Sequence, residues 1–421
     1  MGVKRRLSST SRSSADADAP DSSAAIWPAP QRDLESARAF IQEAARSQRK
    51  IVIAPDRDAD GLCSGAQLRH TLLHLGAAPD QIAIKFVAKG RNVHCDEERA
   101  DLERYQAEYI FVLDHGSRGG GPIADGKVLI LDHHWSEDFP DDAQVVSACK
   151  YLPVATASLL TYVVCLAINE HLPAWLAVTG TVGDLGTTVT FEPPFPTSLA
   201  QTFKAQGKKQ IAEVVALLNA PRRTPACDPT EAWQLLIASA SARDFLASPS
   251  TRSLDDARVY IQRETERCTH AAPRFTKDGR MAILEMSSPA QIHQLIATRW
   301  AGFLKSKALL AVGVANRGYA ADKVHLSCRL VKSRRSEEPP VNLIALLNEY
   351  LARDAGLAKT IGPDFAHGHK EAAGGHMSPE QWDRLVAAME IGNWKSPNKD
   401  SPKKPSVDAK QSNLTGYFKR V

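Results

Sequence analysis

Four short apolar runs mark the first third of the chain: Lys50–Ala54, Ala83–Val87, Tyr109–Leu113 and Val128–Leu131. Each is bounded by polar or glycine-rich residues, which predicts buried strands. Between the first two, Leu68, Leu72 and Leu75 recur at helical spacing and stop at Gly76, so a helix is predicted there. Strands alternating with helical stretches from Asp33 to about Leu246 predict a mostly parallel α/β sheet. A charged amphipathic stretch, Ser253 to Cys268, reads as a connecting helix. The pattern then restarts. Met281–Glu285, Leu309–Val314 and Val324–Leu330 read as strands, and Gln291–Lys305 and Val341–Arg353 as helices. Ser378-Pro379-Glu380-Gln381 is a capping box with proline at the first helical position, so a last helix starts there.

The expected fold class is therefore α/β, with a parallel-sheet domain over residues 31–252 and a helical connector over 253–275. A smaller α/β domain follows over 276–392. Residues 1–30 are rich in Ser, Ala, Asp and Pro, and residues 393–421 carry seven Lys/Arg against two Asp, so both ends are expected to be disordered. At 421 residues the chain is long enough for two cores. No apolar run approaches the ~20 residues that cross a bilayer, so no membrane association is expected. The N-terminus has no apolar stretch after its basic residues, so no secretory signal is expected. Asp16, Asp18 and Asp21 speak against a mitochondrial presequence. Seven scattered cysteines without a C-x-x-C spacing read as reduced thiols in a reducing compartment, with no thiolate zinc site.

The chemistry begins at "IVIAPDRDADG", where an apolar run ends in Asp56, Asp58 and Asp60. Like charges this close repel, and burial makes each costlier, so a strongly positive group is needed among them. Two further runs end similarly. "IFVLDHG" delivers Asp114, and "VLILDHHW" delivers Asp132, His133 and His134. "WLAVTGTVGDLG" places Asp184 after another apolar stretch. In a parallel sheet ligands collect at the C-terminal strand ends, and four acidic clusters at strand ends could hold two divalent ions about 3.5–4 Å apart. Carboxylates with imidazole suit Mn²⁺, with Mg²⁺ as the alternative.

"DRDADG", "LDHG", "LDHH" and "VGDLG", in this order, resemble motifs one to four of the DHH phosphoesterase superfamily, which includes the RecJ exonucleases, nanoRNases and family II pyrophosphatases. The pyrophosphatase-like branch has a His where this chain has Val52, and the third acid Asp60 is instead a RecJ-like feature. The resemblance implies that Asp56, Asp58, Asp60, Asp114, His133 and Asp184 hold two metal ions, with Asp114 bridging. It also implies that His134 contacts the reacting phosphate and that Asp132 orients a histidine. In the second domain "GHKEAAGG" resembles the G-H-x-x-A-A-G motif of the DHH-associated domain, matched by Gly368, His369, Ala372, Ala373 and Gly374. Read as residues, it is a small-residue loop that offers backbone N–H groups and an imidazole to phosphate. Arg329, on a preceding strand, suits a bidentate phosphate contact. Lys332, Arg334 and Arg335 read as a solvated basic loop.

In the tail, Gln411, Leu414, Tyr417 and Phe418 resemble a PIP box, the motif that docks into the sliding clamp PCNA. A single turn of 3₁₀ helix would put Leu414, Tyr417 and Phe418 on one side as an apolar plug. The expectation from these features is a Mn²⁺-dependent exonuclease on single-stranded nucleic acid, DNA first and RNA second, recruited by PCNA during replication or repair. A nuclear location is expected, with cytoplasm or mitochondrion as alternatives. Two other readings are a nanoRNase-like hydrolase of short oligonucleotides or linear dinucleotides, and a non-catalytic replication scaffold.

Overall fold

The structure, a computed structural model, describes residues 27–335, 337–362 and 365–392. The ends expected to be disordered lie largely outside the described residues, and Gln411, Leu414, Tyr417 and Phe418 lie wholly outside them. Two compact units divide between Ile261 and Gln262. The division falls inside a helix spanning Thr251–Cys268. No helix among the described residues is long and apolar enough to cross a membrane.

The first unit is built on five parallel strands: β1 (Ile51–Pro55), β2 (Ile82–Ile84), β3 (Tyr109–Leu113), β4 (Lys127–Asp132) and β5 (Ala143–Ser147). Their spatial order is β2-β1-β3-β4-β5. The apolar runs are continuous because both faces of the sheet are covered. Ile51, Ile53, Phe111, Leu113, Leu129 and Leu131 enter one core. Val52, Ile110, Val112, Val128 and Ile130, one residue out of phase, enter another. Each such side chain contributes roughly 2 kcal/mol of transfer free energy. Strand β5, whose residues are mostly half-buried, has no continuous apolar run and escapes the sequence pattern.

The second unit carries six strands: β6 (Arg274–Phe275), β7 (Met281–Met286), β8 (Ala311–Asn316), β9 (Val324–Leu330), β10 (His367–His369) and β11 (Ala372–Met377). Their order is β10-β11-β9-β8-β7-β6, with β7 and β8 parallel and the other pairs antiparallel. Val324, Leu326, Cys328 and Leu330 point into the core with the helices Leu343–Leu351 and Pro379–Ala388. The alternate residues His325, Ser327 and Arg329 therefore face the other side. The capping box at Ser378 forms as the sequence predicts, with Ser378 and Gln381 bonding each other's backbone.

The small-residue loop expected at 365–375 is instead a hairpin of β10 and β11. Its glycines serve strand packing. A Cβ on Gly374 would run into the Leu326 carbonyl of β9, and one on Gly368, at φ +121°, into the Ala372 carbonyl. Small residues let the neighbouring backbones close to ladder distance, which is why a turn-like composition forms strands here.

Candidate metal centre

Three strands of the parallel sheet end side by side on charged residues. The amide of Asp56, just past β1, donates to the Leu113 carbonyl of β3 at 2.9 Å. The amide of Asp114, just past β3, donates to the Leu131 carbonyl of β4 at 3.0 Å. The sheet ladder thus aligns the Asp56, Asp114 and Asp132 segments. Asp114 takes a left-handed backbone, φ +65°, which turns the chain sharply at the strand end. Asp58 caps the helix Ala59–His74, accepting from the amides of Asp60 and Gly61 at 3.1 Å each.

Asp184 departs from the expectation. It does not end a strand but lies in the last turn of the helix Ala174–Leu185. This helix is buried on nearly every side, so its sequence lacks the polar stripe that distinguishes a helix from a strand. Its glycines bring it close. A Cβ on Gly183 would lie 2.9 Å from the Ala59 Cβ, and one on Gly180 would lie 2.9 Å from Oδ1 of Asp60. The helices Ala59–His74 and Ala174–Leu185 can therefore nearly touch, which carries Asp184 to Asp60.

The result is one acidic cluster around His133. Nε2 of His133 lies 3.2 Å from Oδ1 of Asp114, 3.2 Å from Oδ2 of Asp184 and 3.9 Å from Oδ2 of Asp60. Three sets of potential ligand atoms fall within 4.8 Å of one another: Asp56, Asp58 and Asp114; Asp60, His133 and Asp184; and Asp114, His133 and His134. Asp114 is shared by two of them. Oδ1 of Asp114 and Nε2 of His133 are buried without a well-formed hydrogen bond. Two such buried polar atoms facing the same space, among carboxylates and an imidazole, fit a divalent cation.

The electrostatics agree. Burial, and then the neighbouring Asp184 charge, push Asp60 up to about 6. Burial and the charges of Asp60, Asp58 and Asp184 raise Asp114 well above the usual carboxylate range. Burial opposes a charged His133, but the close Asp184 carboxylate and the charges of Asp60 and Asp132 push it up to about 9. The cluster holds more negative charge than it can solvate, so protons and cations compete for the same oxygens.

Asp132 takes a different part. It is fully buried and accepts from the amides of His133 (2.7 Å), His134 (3.2 Å) and Ser117 (3.1 Å). Its Oδ1 also holds Nδ1 of His134 at 2.8 Å. Burial would raise Asp132, but the His134 charge and hydrogen bond outweigh it and hold it below the ordinary carboxylate range. Desolvation works against a charged His134, yet Asp132 pushes it up to about 10. With Nδ1 so engaged, the orientation of this half-exposed ring is fixed.

One residue of the site is absent from the sequence analysis. Arg222, in a short 3₁₀ turn after the helix Lys208–Asn219, places Nη2 3.3 Å from Asp58 and Nη1 3.8 Å from Asp56. Burial lifts Asp58, but the Arg222 charge and the Gly61 amide overcome it and keep the carboxylate ionised. The only local signal is the pair Arg222-Arg223 after Pro221, which says nothing about what it faces.

The residues expected to grip phosphate lie in the second unit. Arg329 is half-buried on β9, opposite Ala372 of β11. It donates to the neutral Ser327 hydroxyl at 3.1 Å and Cys328 carbonyl at 2.9 Å, and burial lowers its pKa. Gly368 and His369 lie in β10 and Gly374 in β11, two strands and one strand away from it in the same sheet. Arg334 is not a solvated loop cation: it pairs with Glu337 and with the carbonyls of Leu309 and Lys307.

Residues 50–181 match the profile of the DHH family, N-terminal domain. No curated protein matches the sequence. RecJ in complex with Mn²⁺ from Thermus thermophilus superposes with a TM-score of 0.60 at 20% identity, over 87% of this chain and 55% of that one. This chain thus spans about half of the Thermus protein's length. An exonuclease RecJ bound to manganese gives 0.56 at 19% identity, over 86% of this chain and 94% of that one. A DHH domain described as a member of the s1p family of ribosomal proteins gives 0.58 at 16% identity, covering 85% and 90%. At these identities the likeness establishes the fold. The chain has a DHH phosphoesterase fold similar to that of RecJ, with its acidic residues clustered as for metal binding.

Proposed function

We propose that the chain is a two-metal phosphodiesterase, a Mn²⁺-dependent exonuclease acting on single-stranded nucleic acid, DNA in the first place. The observation that carries this reading is the convergence of Asp56, Asp58, Asp60, Asp114, Asp184 and His133, with Oδ1 of Asp114 and Nε2 of His133 buried among them without a well-formed hydrogen bond. Divalent ions bound by these residues would supply Lewis acidity, lowering the pKa of a bound water and neutralising phosphate charge. The chain's own residues do the rest. Asp114 would serve both ions, since it shares a ligand set with Asp56 and Asp58 and its Oδ1 lies 3.2 Å from Nε2 of His133 in the other set. Arg222 holds Asp56 and Asp58 in place and keeps Asp58 ionised. Asp132 fixes the His134 ring, and His134 donates from Nε2 to a phosphoryl oxygen as charge develops there. Arg329, with Gly368, His369 and Gly374, binds a further phosphate of the strand. The tail residues Gln411, Leu414, Tyr417 and Phe418 tether the enzyme to PCNA in the nucleus.

A gel assay tests the reaction. Strands of DNA and RNA, 2 to about 30 nucleotides long and labelled at either end, are incubated with Mn²⁺ or Mg²⁺. Stepwise shortening of long single strands is expected. Hydrolysis confined to the shortest strands would replace this reading with the nanoRNase-like one, and no hydrolysis with either ion would leave the scaffold.

A further inference from the structure

The described residues include six tryptophans, and five of them are buried or partly buried. Trp135 is the exception, with 55% of its surface exposed. Its place in the chain is directly after His134, so the two Cα atoms are about 3.8 Å apart. Leu185, directly after Asp184, is also exposed. Two of the five large exposed apolar side chains among the described residues thus adjoin the metal centre in sequence.

The surroundings of Trp135 carry a charge, and its loop is tied to a neighbouring segment. Its loop leaves the C-terminal end of β4 and is fastened at the far side, where Pro140 bridges Gly120 and the Asp141 amide donates to the Gly120 carbonyl at 2.9 Å. Nζ of Lys150 lies 5.9 Å from the centre of the indole. Lys150 follows β5 at the same edge of the sheet, since the Ala148 amide donates to the Asp132 carbonyl at 3.0 Å. An aromatic face, one residue along the chain from His134 of the proposed centre, and an exposed ammonium are the two parts of a single-strand binding step. The base stacks on the ring, and the backbone phosphate meets the cation.

We infer that Trp135 and Lys150 form a nucleotide-docking step. Trp135 stacks on the base next to the scissile phosphate, and Lys150 pairs with the adjoining backbone phosphate. This rests on the proposed nuclease reading and adds a substrate requirement to it. The substrate must carry a base at that position, of any identity, because every base offers a π-face.

The test uses the full-length protein with Mn²⁺ and a single-stranded DNA oligonucleotide. A matched strand has abasic sites at the two terminal nucleotides of both ends. Trp135→Ala is expected to raise KM about 10-fold with kcat changed far less, and Trp135→Phe to recover most of the loss. On the abasic strand wild type and Trp135→Ala should be equal. Lys150→Gln should flatten the dependence of log affinity on log salt by about 0.7, and Trp135→Ala should leave that slope unchanged. Wild-type kinetics in Trp135→Ala, or an equal loss on both strands, overturns the stacking assignment and leaves the nuclease reading standing. If wild type hydrolyses neither strand, the nuclease reading falls. Fluorescence anisotropy with the same strands then decides Trp135 alone: a 10-fold loss of binding confined to the base-bearing strand supports it, and unchanged binding overturns it.

Discussion

The two sheets concentrate opposite charges by different means. In the first unit, all the acids but Asp184 follow the ends of adjacent parallel strands, so each of those motifs is a few contiguous residues and the sheet only has to align them. In the second, Arg329 and Gly374 are brought to neighbouring strands by antiparallel register, and no short stretch contains them both. The first site is overcharged, with several carboxylates facing one another, and needs cations from outside. In the second, Arg329 is half-buried and bonded to neutral groups, and the proposed phosphate contact would supply its anion. The lesson is that a site's legibility depends on whether its residues are neighbours in sequence, not on how strongly they interact.

Removing the shared acid is the harshest test of this contrast. Asp114→Asn is expected to lower hydrolysis in Mn²⁺ by more than the ~10–100-fold typical for loss of an outer-shell partner. The metal-free variant should melt at or above the wild-type temperature, because a repelling buried carboxylate is gone. Turnover near the wild-type rate would remove the metal assignment.

Next in size, Arg329→Ala should raise KM about 10-fold or more and leave kcat less affected, since a charge-assisted phosphate contact contributes roughly 1.5–3 kcal/mol. A collapse of kcat at unchanged KM would merge the two sites into one. Arg222→Gln should destabilise the metal-free protein by about 2 kcal/mol, less than the ~3–5 kcal/mol for a fully buried pair, since both partners are partly exposed. Saturating Mn²⁺ should restore part of the loss, and denaturant titration with and without the ion checks this.

The pH dependence has a definite sign. Asp60 is raised from 3.8 to about 6, and His133 from 6.5 to about 9. Each favours the folded state while protonated. The Asp60 contribution is complete below its unfolded value and lost as pH rises through about 6, and that of His133 is lost through about 9. The metal-free Tm should therefore fall over that range. The rise in Tm on adding Mn²⁺ should grow over it, because the ion displaces those protons. A Mn²⁺ shift that shrinks with rising pH would contradict the ligand set. The mildest prediction concerns the tail: Tyr417→Ala/Phe418→Ala should abolish calorimetric binding to PCNA yet leave digestion of a free oligonucleotide unchanged.

Much of the metal centre was legible because apolar runs ending in acids place both the strands and their ligands. The helical setting of Asp184 was not, since a helix buried all round has no polar stripe. Arg222 was not, since nothing near it in the chain names its partners. The hairpin at 367–377 reads as a loop in the sequence because glycines that allow close strand contact look like glycines that make turns.

The left-handed backbone at Asp114 has a consequence for how this protein can change. At φ +65° most side chains are strained, but asparagine is among the residues that tolerate the conformation best. Every aspartate codon is a single base change from an asparagine codon. The position proposed to serve both ions is thus also one where an inert, well-folded descendant lies a single mutational step away. If the proposed reaction holds, gene copies that drift to asparagine at this position would keep their fold while losing hydrolysis, giving a non-catalytic protein without passing through an unfolded ancestor.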